Sequence, residues 1–182
     1  LETGRLEGRH PGSIEVSGMI WAPDGGRLYV VEPRRLRRIT GPAEDPAWAL
    51  GEGDSTVLAV RGDGGELAVG LHDGRIRLVD MAAGTLRFVE GHPKAIVGLG
   101  YSGSTLISAD IGGEIRGTTT PFRTDPVIAI AVDPARGRLI VHTAGYLEIR
   151  DLATGQVKSR VPIKNSVPGG IQPCADGSSA IV

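Results

Sequence analysis

The sequence predicts an all-β fold: a β-propeller built from four-stranded antiparallel blades. Three observations predict it. A leucine-centred phrase returns about every forty residues, a period that marks stacked or radial repeats. Each repeat divides into four short runs rich in Val, Ile and Leu, punctuated by Gly, Pro and Asp, as in a strand meander. No stretch sustains a helical period. Four short antiparallel strands in a repeat of that length make one blade. Blades set around an axis bury the apolar faces that a lone sheet would leave bare.

The phrase reads Pro-Asp-Gly-Gly-Arg-Leu-Tyr-Val at 23–30 and Gly-Asp-Gly-Gly-Glu-Leu-Ala-Val at 62–69. It returns as Tyr-Ser-Gly-Ser-Thr-Leu-Ile-Ser at 101–108 and Pro-Ala-Arg-Gly-Arg-Leu-Ile-Val at 134–141. Its anchors Leu28, Leu67, Leu106 and Leu139 are spaced 39, 39 and 33 residues apart. The first blade, 13–51, has strands over 16–21, 27–31, 36–40 and 47–50. The second, 55–91, has strands over 56–60, 66–70, 75–79 and 85–89. The third and fourth follow at 95–124 and 127–164. Within Arg75–Val79, Ile76 and Leu78 point to one face and Arg75 and Arg77 to the other. The fourth blade repeats this with Leu147 and Ile149 against Glu148 and Arg150.

The ends read as partial blades, 1–12 and 168–182, within one domain over 1–182. The expected inventory is one outer strand, four whole blades and two inner strands, so the outer strand lacks a neighbour. That predicts part of a larger propeller, of about six to eight blades, with self-association as the alternative. The 28 glycines and 12 prolines suit short strands and turns. A net charge of −1 argues against a polyanion binder driven by bulk charge, so nucleic acid is not an expected partner. Cys174 is the one cysteine, which excludes an internal disulfide and a thiolate metal cluster. No apolar run approaches the about 20 residues that span a bilayer, and the N-terminal residues show no signal-peptide core. The expectation is a cytoplasmic chain with no membrane partner, although the missing initiator Met leaves an upstream leader open.

The run from Leu67 to Asp80 resembles the core of a WD40 repeat, with Val79-Asp80 in place of Trp-Asp. Gly91-His92 resembles the Gly-His that opens such a unit. The Asp-x-Ala-x-Gly turns at Asp80–Gly84 and Asp151–Gly155 are similar to bacterial YVTN-type propellers. The resemblance covers nearly the whole chain and implies a scaffold without catalysis of its own. WD40 blades often carry a locking set of His, Ser or Thr, Asp and Trp. By resemblance the third blade has His92 and Ser108, but Gly112 stands for the Asp and Thr118 for the Trp. The blades are therefore expected to depend mainly on apolar packing.

Candidate chemistry is sparse. Gly98-Leu99-Gly100-Tyr101-Ser102-Gly103 fits G-x-G-x-x-G, but it lies on a strand and hairpin, not at a strand-to-helix turn. Arg61-Gly62-Asp63 spells an adhesion tripeptide inside a hairpin, where small residues serve a turn. His10, His72, His92 and His142 show no metal-ligand spacing; His10 and His92 open equivalent loops, where a loop-ordering role is expected. Asp24, Asp63 and Asp176 are turn aspartates. Arg34, Arg35, Arg37 and Arg38 form the one charge cluster, readable as a basic lip for an acidic peptide or phosphate. No catalytic set, cofactor site or metal site is expected.

Propeller geometry gathers the inter-blade loops and the second-to-third-strand turns on one face. The expected interaction face holds His10, Arg34, Arg35, Asp54, His72, Asp73, His92, Lys94, Asp110, Asp125 and Asn165. The function expected is a non-catalytic scaffold for a protein or peptide. The alternatives are a YVTN- or quinoprotein-like propeller enzyme with a polar central channel, or a regulatory module of a bacterial signalling chain. The first strands hold almost no polar groups, which counts against the channel enzyme.

Overall fold

The computed structural model describes residues 16–32, 34–40, 44–89, 91–163, 172–173 and 180–181. Four antiparallel sheets of four strands follow one another along the chain. The first holds β1 (Gly18–Trp21), β2 (Leu28–Glu32), β3 (Arg35–Ile39) and β4 (Glu44–Ala49). The second holds β5 (Ser55–Val60), β6 (Glu66–Leu71), β7 (Ile76–Asp80) and β8 (Leu86–Val89). The third holds β9 (Ile96–Ser102), β10 (Thr105–Asp110), β11 (Glu114–Arg116) and β12 (Phe122–Arg123). The fourth holds β13 (Val127–Asp133), β14 (Arg138–Thr143), β15 (Tyr146–Asp151) and β16 (Val157–Pro162). β17 (Gln172–Pro173) pairs with β18 (Ala180–Ile181). Each sheet is a meander in sequence order, which is the β-propeller blade. The partial blade expected over 1–12 lies outside the described residues, as do Cys174 and Asp176.

The core lies between blades. Tyr29, Val31 and Leu36 meet Leu67, Val69 and Leu71. Ala68, Ile76 and Leu78 meet Ile96 and Leu99. Ile107, Ala109 and Ile115 meet Val127, Leu139 and Val141. Leu67 and Leu139 of the repeated phrase are fully buried. The register explains the shorter last period. Leu28, Leu67 and Leu139 face Ile39, Val79 and Arg150 across the second and third strands. In the third blade this ladder stops at Ser108 and Arg116, because β11 has three residues and turns away at Gly117.

Strand alternation does not separate core from solvent here. Arg77, Glu148 and Arg150 are buried along with their apolar neighbours. Both faces of an interior blade are covered, so the charged row of a strand lies against a neighbour.

The glycine motif at 98–103 serves packing. A Cβ on Gly98 would lie 2.4 Å from Ile130 Cγ1, and one on Gly100 2.4 Å from Val132 Cγ2. Their bare backbone lets β13 approach β9. Helix is confined, among the described residues, to one 3-10 turn at Pro134–Arg136, capped by Asp133. No helix among them is long and apolar enough to cross a membrane.

Candidate functional site

One face of the molecule is built by hydrogen bonds between the inter-blade loops and the second-to-third-strand turns. His72 N–H donates to the Asp54 carbonyl at 2.9 Å and His92 N–H to the Gly74 carbonyl at 2.8 Å. Ile111 N–H donates to Ala95 and Thr124 N–H to Gly113, both at 2.9 Å. These bonds bring Arg34, Arg35, Asp54, His72, Asp73, Lys94 and Asp125 to a common rim, where all are exposed. Arg34 is the one described non-glycine residue with positive φ, at 65°. Asp73 is ordered by its own turn: it accepts from Arg75 N–H at 3.0 Å and meets the Arg75 guanidinium at 2.6 Å. The Arg75 hydrogen bonds hold its carboxyl below the usual carboxylate range. His10 and Asn165 lie outside the described residues.

His92 and Asp110 do not stand on the rim as expected. They are 6% and 1% exposed and turn into the blade. His92 Nε2 meets Ser108 Oγ at 2.8 Å, and its Nδ1 faces Asp110 Oδ2 at 3.6 Å. The acid that the sequence placed at Gly112 is supplied two residues earlier, from the end of β10. The third blade therefore keeps the His92–Ser108 hydrogen bond of such a lock, with Asp110 facing the other ring nitrogen beyond hydrogen-bond distance. Burial and the nearby Arg116 push the His92 pKa down, so the imidazole is neutral at pH 7.

His92, Asp110 and Glu114 also form the one described group with metal-ligand potential, its ligand atoms all within 4.8 Å. Both Glu114 oxygens and one Asp110 oxygen are already engaged. Arg116 and Arg123 reach Glu114 at 2.7 and 2.9 Å, and Asp110 Oδ1 accepts from Glu114 N–H at 3.0 Å. The arrangement closes a joint, with Asp110 Oδ2 facing only His92 Nδ1 at 3.6 Å.

A second joint was not foreseen. Arg77 donates to the Glu52 carbonyl and Arg116 to the Gly91 carbonyl at 2.7 Å. These arginines hold equivalent third-strand positions, facing Val69 and Ser108 of the second strand, and each ties its blade to the preceding loop. In the fourth blade Glu148 takes that position. It meets Arg150 at 2.6 Å, also pairs with Arg160, and accepts from Thr124 Oγ1 at 3.4 Å. The sequence signal was available: a charged residue at one register in successive repeats.

The turn motifs are structural. Asp80 Oδ1 accepts from Ala82 and Ala83 N–H, and Asp151 Oδ1 from Ala153 and Thr154 N–H. The Arg61–Asp63 tripeptide folds on itself, with the side chains 2.8 Å apart and Gly64 N–H on the Arg61 carbonyl. A cavity of about 490 Å³ lies against the inner strands β1, β5, β9 and β13. Its wall is apolar, with Leu58, Val97, Ala129 and Ile130, and Tyr101 bears the one side-chain polar group on it. That hydroxyl donates to Glu66 at 3.0 Å.

No protein-family model matches the chain, and no curated protein matches it. Among solved structures, a chain from the crystal structure of the mitotic checkpoint complex superposes with a TM-score of 0.71 and 18% identity. The match covers 79% of this chain and 48% of that one, so the chain spans about half the length of the structure it matches. The blades and this likeness together define the class: a β-propeller, of a shape that fits the WD40-like kind. At that identity the likeness carries the fold and nothing finer.

Proposed function

We propose that the chain is a non-catalytic scaffold that binds a protein or peptide on the rim formed by its inter-blade loops and strand turns. The observation that carries this reading is the contrast between channel and rim. The channel wall displays no carboxylate, imidazole, amine or guanidinium among the described residues lining it. The rim gathers exposed groups of both charges, including Arg34, Arg35, Lys94, Asp54 and Asp125. A rigid apolar body with a varied charged edge suits recognition. The structural neighbour comes from a multiprotein assembly, in agreement with a protein partner.

The same reading gives a role to the first blade's far face, where Met19 and Trp21 of β1 are 64% and 61% exposed. A further blade or a second copy seats there. Peptide-display selection on the full chain tests the rim. Selected peptides are expected to lose binding to Arg35→Glu or Lys94→Glu while those variants keep the parent melting temperature. A selection that enriches no peptide refutes the scaffold reading. Light scattering tests the face: association that Trp21→Lys abolishes is expected, and a monomer at all concentrations refutes it.

A further inference from the structure

The joint between the first two blades holds a charge that the fold leaves unanswered. Arg77 on β7 is 3% exposed and turns toward the first blade. It donates to the Glu52 carbonyl, while its Nε is buried and finds no acceptor among the described residues. Equivalent positions are answered by opposite charge. Arg37 meets Glu32 at 3.3 Å, Arg116 meets Glu114 at 2.7 Å, and Glu148 meets Arg150 at 2.6 Å. No carboxylate pairs with Arg77 among the described residues. The acid whose field favours its charge, Asp73, is engaged by Arg75 at 2.6 Å. A buried cation without a counter-ion is costly unless something supplies the anion.

The surroundings say what kind of anion fits. Phe88 on β8 covers the site, with the Arg75 and Arg77 guanidinium carbons each 5.2 Å from its ring centre. The ring remains 56% exposed, and Leu86 beside it on the same face is 41% exposed. With Leu50, Gly51 and Glu52 they line a groove of about 410 Å³. Most of the groove wall is apolar, and Arg75 and Arg77 supply its positive charge beside Glu52. An inorganic anion would answer the arginines and leave the apolar wall uncovered.

We propose that this groove between the first two blades docks an extended peptide of a partner protein, placing an apolar side chain on Leu86 and Phe88 and an acidic one on the Arg77–Arg75 pair. The carboxylate supplies the missing counter-ion, and the Phe88 ring shifts to admit it. Guanidinium forks suit carboxylates because they donate two hydrogen bonds in one plane. This inference rests on the scaffold reading above and adds a second surface to it, on the outer side of the propeller.

The test uses the full chain and two displayed peptide libraries. Both randomise apolar positions; one fixes Asp or Glu nearby and the other Asn or Gln. Enriched peptides are labelled with fluorescein and titrated by anisotropy. The acidic library is expected to enrich over the amide library. Phe88→Ala and Arg77→Gln are each expected to weaken binding by about tenfold or more, the loss of one charge-assisted contact or one aromatic anchor. Phe88 is half-exposed, so its variant folds even if Arg77→Gln does not. Equal enrichment of both libraries, or acidic peptides that bind Phe88→Ala as tightly as the parent, overturns the groove. Peptides sensitive only to rim variants overturn the groove and leave the scaffold standing. No enrichment in either library refutes both.

Discussion

Glu148→Gln is the sharpest test of how these blades are joined. Glu148 is fully buried, and its partner Arg150 is 8% exposed at 2.6 Å. Arg150 also donates to the Gly155 carbonyl at 2.8 Å and stands 4.8 Å from the Phe122 ring centre, so it cannot swing to solvent without abandoning the joint. Removing one partner of a buried pair costs about 3–5 kcal/mol, because the other charge is left unanswered. Arg160 is 45% exposed at its side chain, and such a partner adds at most about 1 kcal/mol. Glutamine keeps one acceptor for Arg150, which sets the expected loss near the lower end, about 3 kcal/mol. For a domain of this size that lowers the melting temperature by about 6–12 °C.

The pH dependence supplies the internal control. Burial raises the Glu148 pKa, but the Arg150 and Arg160 hydrogen bonds outweigh it and hold the carboxyl below its ordinary value. A depressed folded pKa gives stability that is complete above the unfolded value of about 4.3 and is lost as pH falls through the folded one. The gap between parent and Glu148→Gln in urea melts is therefore wide at pH 7 and narrows in acid. Glu148→Leu combined with Arg150→Met recovers much of the loss, since no unpaired charge remains. A gap under about 1 kcal/mol at pH 7, or one unchanged in acid, would refute the pair as a joint.

Three further outcomes are expected. Gly74→Ala places a Cβ 2.0 Å from the His92 carbonyl oxygen, at a φ of +88°; circular dichroism melts should show a loss of about 3 kcal/mol or more, or no folded protein. His142→Leu should raise stability at pH 7. The imidazole is fully buried, neither ring nitrogen has a partner among the described residues, and burial pushes its pKa down. The parent then loses stability as pH falls below about 6.5, where the unfolded chain takes the proton first, and melts from pH 7 to 5 should be flatter in the variant. Arg34→Gly should relieve a left-handed backbone at φ 65° by about 1 kcal/mol while weakening rim-bound peptides; a lower melting temperature would contradict the strain.

The sequence by itself determined the repeat and, with it, the fold. The Leu28, Leu67, Leu106 and Leu139 phrase and its hairpin glycines state a local rule, strand–turn–strand, and local rules are legible because they concern residues a few positions apart. Loop positions follow once strands are placed, so the exposed turns of Arg34, Arg35, Asp54, His72, Asp73, Lys94 and Asp125 were legible, while the burial of His92 and Asp110 was not. Tertiary structure alone decided which charges face solvent. Arg77 and Glu148 look like the polar row of a half-exposed strand, yet a neighbouring blade covers that row. Asp110 faces His92 from two residues before Gly112, the position where the resemblance expects the acid, because that approach depends on where β10 ends in space. The bare cation at Arg77 and the paired one at Arg116 hold the same register on their strands. What separates them is the residue two positions earlier on the same strand, Glu114 in one and Arg75 in the other; burial by a neighbouring blade, by contrast, is not written in any single repeat.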